Sequence, residues 1–314
     1  MDLLADVLAV GGVRGTAARR VEAAEPWGMS WREISGAAFY AVTAGTTWLG
    51  LPDSPPRQLL PGDVVLLPTG TGHTLTSDPA GAANPCEHMA PARTPSGEKV
   101  MRFGSGETTT HILGACYEYD PAVSTQIITL LPEIVHIRAD NGATCLDDTV
   151  RLLARELAHP QLAASVVLDR LVDILLIQLL RVWLAGKPAE AQGTWLGVLD
   201  DPLVGVAMAK VHEDPARAWT TETLAAELAV SRATLSRRFL VVAGETPGAY
   251  LTRWRMDLAA IRLRDTDDTL ESIAHSVGYT SVYAFSRAFR RARAQAPGRY
   301  RVEARAAAQD RQVS

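Results

Sequence analysis

Thr221-Glu-Thr-Leu-Ala-Ala-Glu-Leu-Ala-Val-Ser-Arg-Ala-Thr-Leu-Ser-Arg-Arg-Phe239 and Leu270-Glu-Ser-Ile-Ala-His-Ser-Val-Gly-Tyr-Thr-Ser-Val-Tyr-Ala-Phe-Ser-Arg-Ala-Phe289 are two copies of one pattern. Pro247-Gly-Ala-Tyr250 follows the first copy and Pro297-Gly-Arg-Tyr300 the second. Ser231/Ser281, Ser236/Ser286, Arg237/Arg287, Phe239/Phe289, Pro247/Pro297, Gly248/Gly298 and Tyr250/Tyr300 share one offset of fifty positions. A register held over that many residues marks a supersecondary unit that occurs twice.

Each copy reads as a short helix, a tight turn and a second helix opening on serine. Leu224, Ala225 and Leu228 give the first helix an apolar face, as do Ile273, Ala274 and Val277 in the second copy, where Gly278 supplies the turn. Ser231 and Ser281 are N-cap candidates, since a hydroxyl can accept from the unbonded N–H groups of a first turn. Leu235/Phe239 and Phe285/Phe289, four apart, face inward, which leaves Ser236/Arg237 and Ser286/Arg287 on the wet face. This is a helix-turn-helix, whose second helix can lie in a major groove. The alternative is an αα repeat whose arginines are ordinary solvated charge.

Working outward, the charge supports the first reading. From residue 203 on there are 17 Lys/Arg against 12 Asp/Glu, and before it 14 against 23. A basic module on an acidic body points to a polyanion met by the C-terminal part only. With 314 residues, 47% apolar and 21% charged, the chain is expected to be a soluble globular protein of two domains. Its most apolar run, Val166 to Leu184, is broken by Asp169, Arg170, Asp173 and Arg181, so no membrane span is expected. No export signal is evident, and three widely spaced cysteines fit a reducing cytoplasm better than a disulfide framework.

From Trp27 to about Tyr119 short apolar runs alternate with turn residues, which predicts a sandwich or barrel. Pro61-Gly-Asp-Val-Val-Leu-Leu-Pro-Thr-Gly-Thr-Gly-His73 resembles the second motif of the cupins, with Ser77 where that motif prefers Asn. The first cupin motif is absent, and Tyr40 stands near where related regulators often carry a His. One His falls short of the three or so ligands a divalent metal needs, so no cofactor and no metal is expected. Cys86-Glu-His88 could bind metal or lower a thiol pKa, or be an incidental surface pair. Alternation puts Ile112, Gly114 and Cys116 on one face of a strand and Leu113, Ala115 and Tyr117 on the other. Cys116 then reads as a small core residue or as a sensor. Residues 166–184 are apolar nearly all round, which predicts burial on two faces, the second either through a second copy of the chain at Leu168, Leu171, Val172, Leu175 and Leu179 or wholly inside the protomer. A helix is expected from Trp195 towards Pro215 and another from Pro247 to Leu263.

On Leu224-Ala, Ser231-Arg to Phe239, Gly244-Glu-Thr-Pro, Tyr250 to Met256, Val277-Gly-Tyr and Phe285-Ser-Arg-Ala-Phe-Arg290, residues 195–302 resemble the DNA-binding domain of AraC/XylS-type transcription regulators. The resemblance implies an α+β chain. A cupin-like β-barrel sensor spans residues 1–145, a helical dimerisation segment 146–185, a linker 186–194, an all-α double helix-turn-helix domain 195–302 and a tail 303–314. It implies a cytoplasmic homodimer that is not an enzyme, binds promoter DNA, works with RNA polymerase and answers a small-molecule or oxidant effector. Tyr40, His73, Cys86, His88 and Cys116 are the effector candidates. Ala233, Ser236 and Arg237 in the first unit and Val282, Tyr283, Ser286 and Arg287 in the second would face bases, and Arg238, Arg253, Arg290 and Arg291 phosphates. Arg293-Ala294 departs from the family, which usually has an aromatic and Gly there, and so predicts a less orderly exit from the second unit. A cupin-type metal enzyme fused to a DNA-binding module is the alternative.

Overall fold

Alternating apolar residues give way to a 3.6-residue period after residue 144, and the secondary structure changes with them. The computed structural model describes residues 3–34, 36–85, 100–119, 131–139, 142, 144–186, 198 and 201–313, without the side chains of 9, 17 and 307–313. Cys86 and His88, and all but Gly186 of the linker expected at 186–194, lie outside the described residues. The strands in chain order are β1 (Arg14–Ala23), β2 (Gly28–Trp31), β3 (Ala37–Ala44), β4 (Thr47–Gly50), β5 (Arg57–Leu59), β6 (Val64–Leu67), β7 (His73–Thr76), β8 (Asn84–Pro85), β9 (Val100–Phe103), β10 (Thr110–Glu118) and β11 (Val135–Ile137).

They form two facing sheets, β11-β6-β3-β10-β1-β9 and β5-β4-β7-β2-β8. Val21, Ala38, Tyr40, Val42, Val65, Leu67 and Ile112 from the first meet Met29, Trp31, Leu49, Leu59 and Leu75 from the second and Trp27 just before β2. The predicted alternation of β10 holds, with Ile112 and Cys116 turned into this core and Leu113, Ala115 and Tyr117 buried on the other face. The barrel expectation needs correction, because both sheets are open. Most strands are only two to four residues long, so the ladders end before the edges meet.

The outer face of the six-stranded sheet is covered by α2 (Thr144–Ala158) and α3 (Ala164–Gly186), and α3 packs along β1. Tyr117 donates its hydroxyl to the Val172 carbonyl at 2.8 Å, and the Gly15 N–H donates to Asp173 at 2.7 Å. This corrects the dimerisation candidates. Leu168, Val172, Leu175 and Leu179 are buried inside the protomer, where each removes roughly 1.5–3 kcal/mol of apolar exposure. Only Leu171, half-buried, remains near the outer stripe of Val167 and Ile174, which are 41% and 43% exposed.

The chain separates into two compact units. Val13–Tyr119 and Leu131–Gly186 supply the first, while Met1–Gly12 joins Lys187–Ser314 in the second. The opening helix α1 (Leu3–Gly11) thus belongs with the C-terminal unit and not with the sensor domain of residues 1–145. Its buried Leu3, Leu4 and Val10 pack where α4 (Pro202–Glu213) and α7 (Pro247–Asp265) meet it, and Asp6 reaches His212 Nδ1 at 3.1 Å. Within the range expected for a helix from Trp195, α4 is opened by Asp201, which accepts from the N–H groups of Leu203 and Val204, with Pro202 in the first turn, while Trp195 lies outside the described residues. The remaining helices are α5 (Thr221–Glu227), α6 (Arg232–Ala243), α8 (Leu270–Ser276), α9 (Val282–Arg293) and α10 (Pro297–Val313), which runs on through the expected tail.

Candidate nucleic-acid interface and sensor site

The sequence repeat is a packing repeat. In the first unit Leu224, Ala225, Leu235 and Phe239 are buried, and Phe239 meets Tyr250 edge-on at 5.7 Å. In the second, Ile273, Ala274, Val277, Phe285 and Phe289 are buried, and Phe289 meets Tyr300 at 5.3 Å. The turns need a left-handed residue, Ala229 (φ 54°) in one and Gly278 (φ 80°) in the other. Ser231 and Ser281 cap α6 and α9, accepting from Thr234 N at 3.1 Å and Ala284 N at 3.5 Å. Each recognition helix therefore buries one face and presents the other. Ala233 and Arg237 are exposed and Ser236 half-buried on α6, while Tyr283 (73% exposed) and Arg287 stand out from α9 beside half-buried Val282 and Ser286.

The charges sort themselves by partner. Among the described residues of the C-terminal unit, Lys210, Arg217, Arg232, Arg262, Arg264, Arg293, Arg299 and Arg305 hold carboxylates. Arg255 and Arg301 hold backbone carbonyls. Two of the phosphate candidates are taken up in the same way. Arg238 bonds Asp201 at 2.5 Å, and half-buried Arg253 holds Glu245 at 2.7 Å with Asp257 at 3.7 Å. Arg238 remains 58% exposed, and a surface pair of this kind is worth little, so only half-buried Arg253, which bridges two carboxylates, is given a structural role. Arg237, Arg287, Arg290 and Arg291 have no carboxylate or carbonyl partner among the described residues, and all four lie on α6 and α9. Arg287 rests over the Tyr283 ring at 5.9 Å.

The departure at Arg293-Ala294 also resolves. Ala294 takes the left-handed cap (φ 56°) that Gly244 (φ 72°) takes in the first unit, and Arg293 reaches back to Asp257 on α7. Burial pushes the Asp257 carboxyl up to about 6 against the pull of Arg293 and Arg253. Asp257 and Arg255 were not singled out in the sequence, since neither belongs to the fifty-residue register.

In the β-unit, Tyr40 and His73 come together across the two sheets, with the hydroxyl 2.7 Å from Nε2. The Thr71 carbonyl, 2.7 Å from Nδ1, can only accept, so Nδ1 carries the proton and Nε2 accepts from Tyr40. Burial lowers the His73 pKa to about 4, against the opposing bond to Thr71, which keeps the ring neutral. Trp31 stacks on it at 4.8 Å. The ring nitrogens are therefore both engaged, and no group of three His, Cys, Asp or Glu side chains converges as metal ligands do among the described residues. Cys116 lies apart, its thiol pushed up to about 11 by burial, which opposes a reactive thiolate. The sequence reading missed Trp27 and Trp31, whose buried indole N–H groups have no hydrogen-bond partner. The only signal was their spacing with Met29, at every second residue from Trp27 into β2.

Comparison with known proteins also finds two parts, the first of which takes in α1. Residues 2–185 match the family described as Cupin and residues 224–303 the Helix-turn-helix domain. An AraC-like transcription regulator of Streptomyces lividans is 37% identical over 304 residues, covering 96% of this chain and 98% of the relative. One of Streptomyces antibioticus is 35% identical, with 96% and 98% covered. Among solved structures, the DNA-binding domain of AdpA in complex with a target DNA is 33% identical, covers 34% of this chain and 95% of that one, and has a TM-score of 0.32. No helix among the described residues is long and apolar enough to cross a membrane. The chain belongs to the AraC-family transcription regulators, with a cupin domain on its N-terminal side and an AraC-type helix-turn-helix domain that binds DNA on the other.

Proposed function

We propose that the chain is a signal-responsive regulator whose two recognition helices read adjacent major grooves. Ala233, Ser236 and Arg237 on α6, and Val282, Tyr283, Ser286 and Arg287 on α9, face base edges. Arg290 and Arg291 meet phosphates. One observation carries this: among the described residues of the C-terminal unit, the guanidinium groups left without carboxylate or carbonyl partners are confined to those two helices. Arg237 and Arg287 suit bidentate contact with guanine, and Ala233, Val282 and Tyr283 can meet thymine methyls. In the β-unit, the Trp31, His73 and Tyr40 cluster with the two unpartnered indoles is the place for an effector. A dimer forms through the outer stripe of α3, and effector binding shifts the populations of arrangements in which the DNA units are held.

The test is base-by-base. Arg237→Ala or Arg287→Ala is expected to cost about 1–3 kcal/mol of binding and to relax selectivity at one base pair in a saturation series of the selected duplex. Equal weakening on every duplex would instead assign these residues to phosphates.

A further inference from the structure

One turn of α7, Arg253 to Asp257, sends three charged side chains to different parts of the two helix-turn-helix units. Arg253 holds Glu245 at the exit of α6. Asp257, 4% exposed, takes Arg293 in the last turn of α9. Arg255 lies between them in sequence and reaches both units. Its Nε donates to the Pro215 carbonyl and its Nη2 to the Arg217 carbonyl, each at 2.7 Å, in the segment that leads into α5. Its guanidinium stands 5.9 Å from the ring of Tyr279, in the turn between α8 and α9.

The backbone closes tightly around this group. A Cβ on Gly278 would fall 2.5 Å from Arg255 Nη2 and 2.6 Å from the Ala216 carbonyl oxygen. Gly278 is therefore needed for space as well as for its positive φ. The turn of the second unit and the lead-in of the first meet at this point, with Arg255 bonded to one and set against the other.

We infer that Arg255 is a positioning residue: it fixes the angle and distance between α6 and α9, and so the spacing of the two half-sites the chain accepts. A guanidinium suits the task because its planar fork serves two carbonyls at once while its face meets a ring. An ammonium keeps the charge but makes a point contact. The inference rests on the proposed reading of adjacent grooves.

The full-length chain tests it. Wild type selects a duplex from a random library, and derivatives of that duplex carry one or two base pairs more or fewer between the half-sites. Binding is measured on all of them, with active protein counted by stoichiometric titration. Arg255→Lys is expected to lose about tenfold in affinity at the selected spacing, the size of one or two charge-assisted hydrogen bonds, and less at the others, so that the spacing preference flattens. Tyr279→Leu, which removes only the ring side, should flatten it to a smaller extent and keeps the test open if the lysine variant fails to fold. The same factor lost on every duplex, or a preference unchanged in both variants, overturns the inference. A wild type with no spacing preference removes the adjacent-groove reading and this inference with it, whereas a wild-type preference that persists in the variants removes only the role of Arg255.

Discussion

Single residues show how burial overrides what a side chain does in water. His73 stands at the cupin-motif position as an effector candidate, and its two nitrogens are spent on Thr71 and Tyr40. Its folded pKa of about 4 lies below the ordinary 6.5. Below pH 6.5 the unfolded chain takes up a proton that the folded chain refuses, so stability is lost as pH falls from about 6.5 to 4. The contribution of His73 is at most about 3 kcal/mol across that window. His136 and His212 are also lowered by burial and carry the same sign. The difference between wild type and His73→Gln in urea titrations at several pH values isolates this one group. An unchanged pH slope in the variant would count against a buried neutral His73.

Elements in the DNA-binding unit are set by their ends. Thr220 and Thr223 close a capping box at α5, Ser231 and Ser281 open the recognition helices, and Thr246 and Thr269 cap α7 and α8. At the exits the copies diverge. Gly244 adopts its left-handed cap at little cost, whereas Ala294 holds the same conformation with a Cβ. Ala294→Gly is therefore expected to stabilise the unit by about 0.5–1 kcal/mol, the strain relieved less the entropy added to the unfolded chain. A rise in the thermal midpoint checks this, and a fall would show that Ala294 makes a contact worth more than its strain. The Arg293–Asp257 pair compensates at the same exit by tying α9 to α7.

For the whole molecule, the proposed dimer makes the outer stripe of α3 the surface to test. Val167, Leu171 and Ile174 recur at spacings of four and three residues, and two of them are more than two-fifths exposed. Ile174→Glu is expected to weaken the dimer at least about tenfold in sedimentation experiments without altering the circular dichroism of the protomer. Unchanged mass would move the interface elsewhere. Leu175→Glu would unfold the unit instead, because Leu175 is fully buried. The sequence by itself determined the double helix-turn-helix, its caps and the inward and outward faces of its second helices, because those follow from local period and a repeat that can be counted along the chain. It also determined the sheet-rich N-terminal half. Only the tertiary structure decided that the sheets stay open, that α1 docks in the C-terminal unit, and that Arg238 and Arg253 pair with internal carboxylates while Arg290 and Arg291 do not. It alone turned Leu168, Val172, Leu175 and Leu179 inward. The physical reason is that burial and charge pairing are properties of residues distant in sequence, and a helix apolar on two sides carries no local mark of which side faces its own protomer.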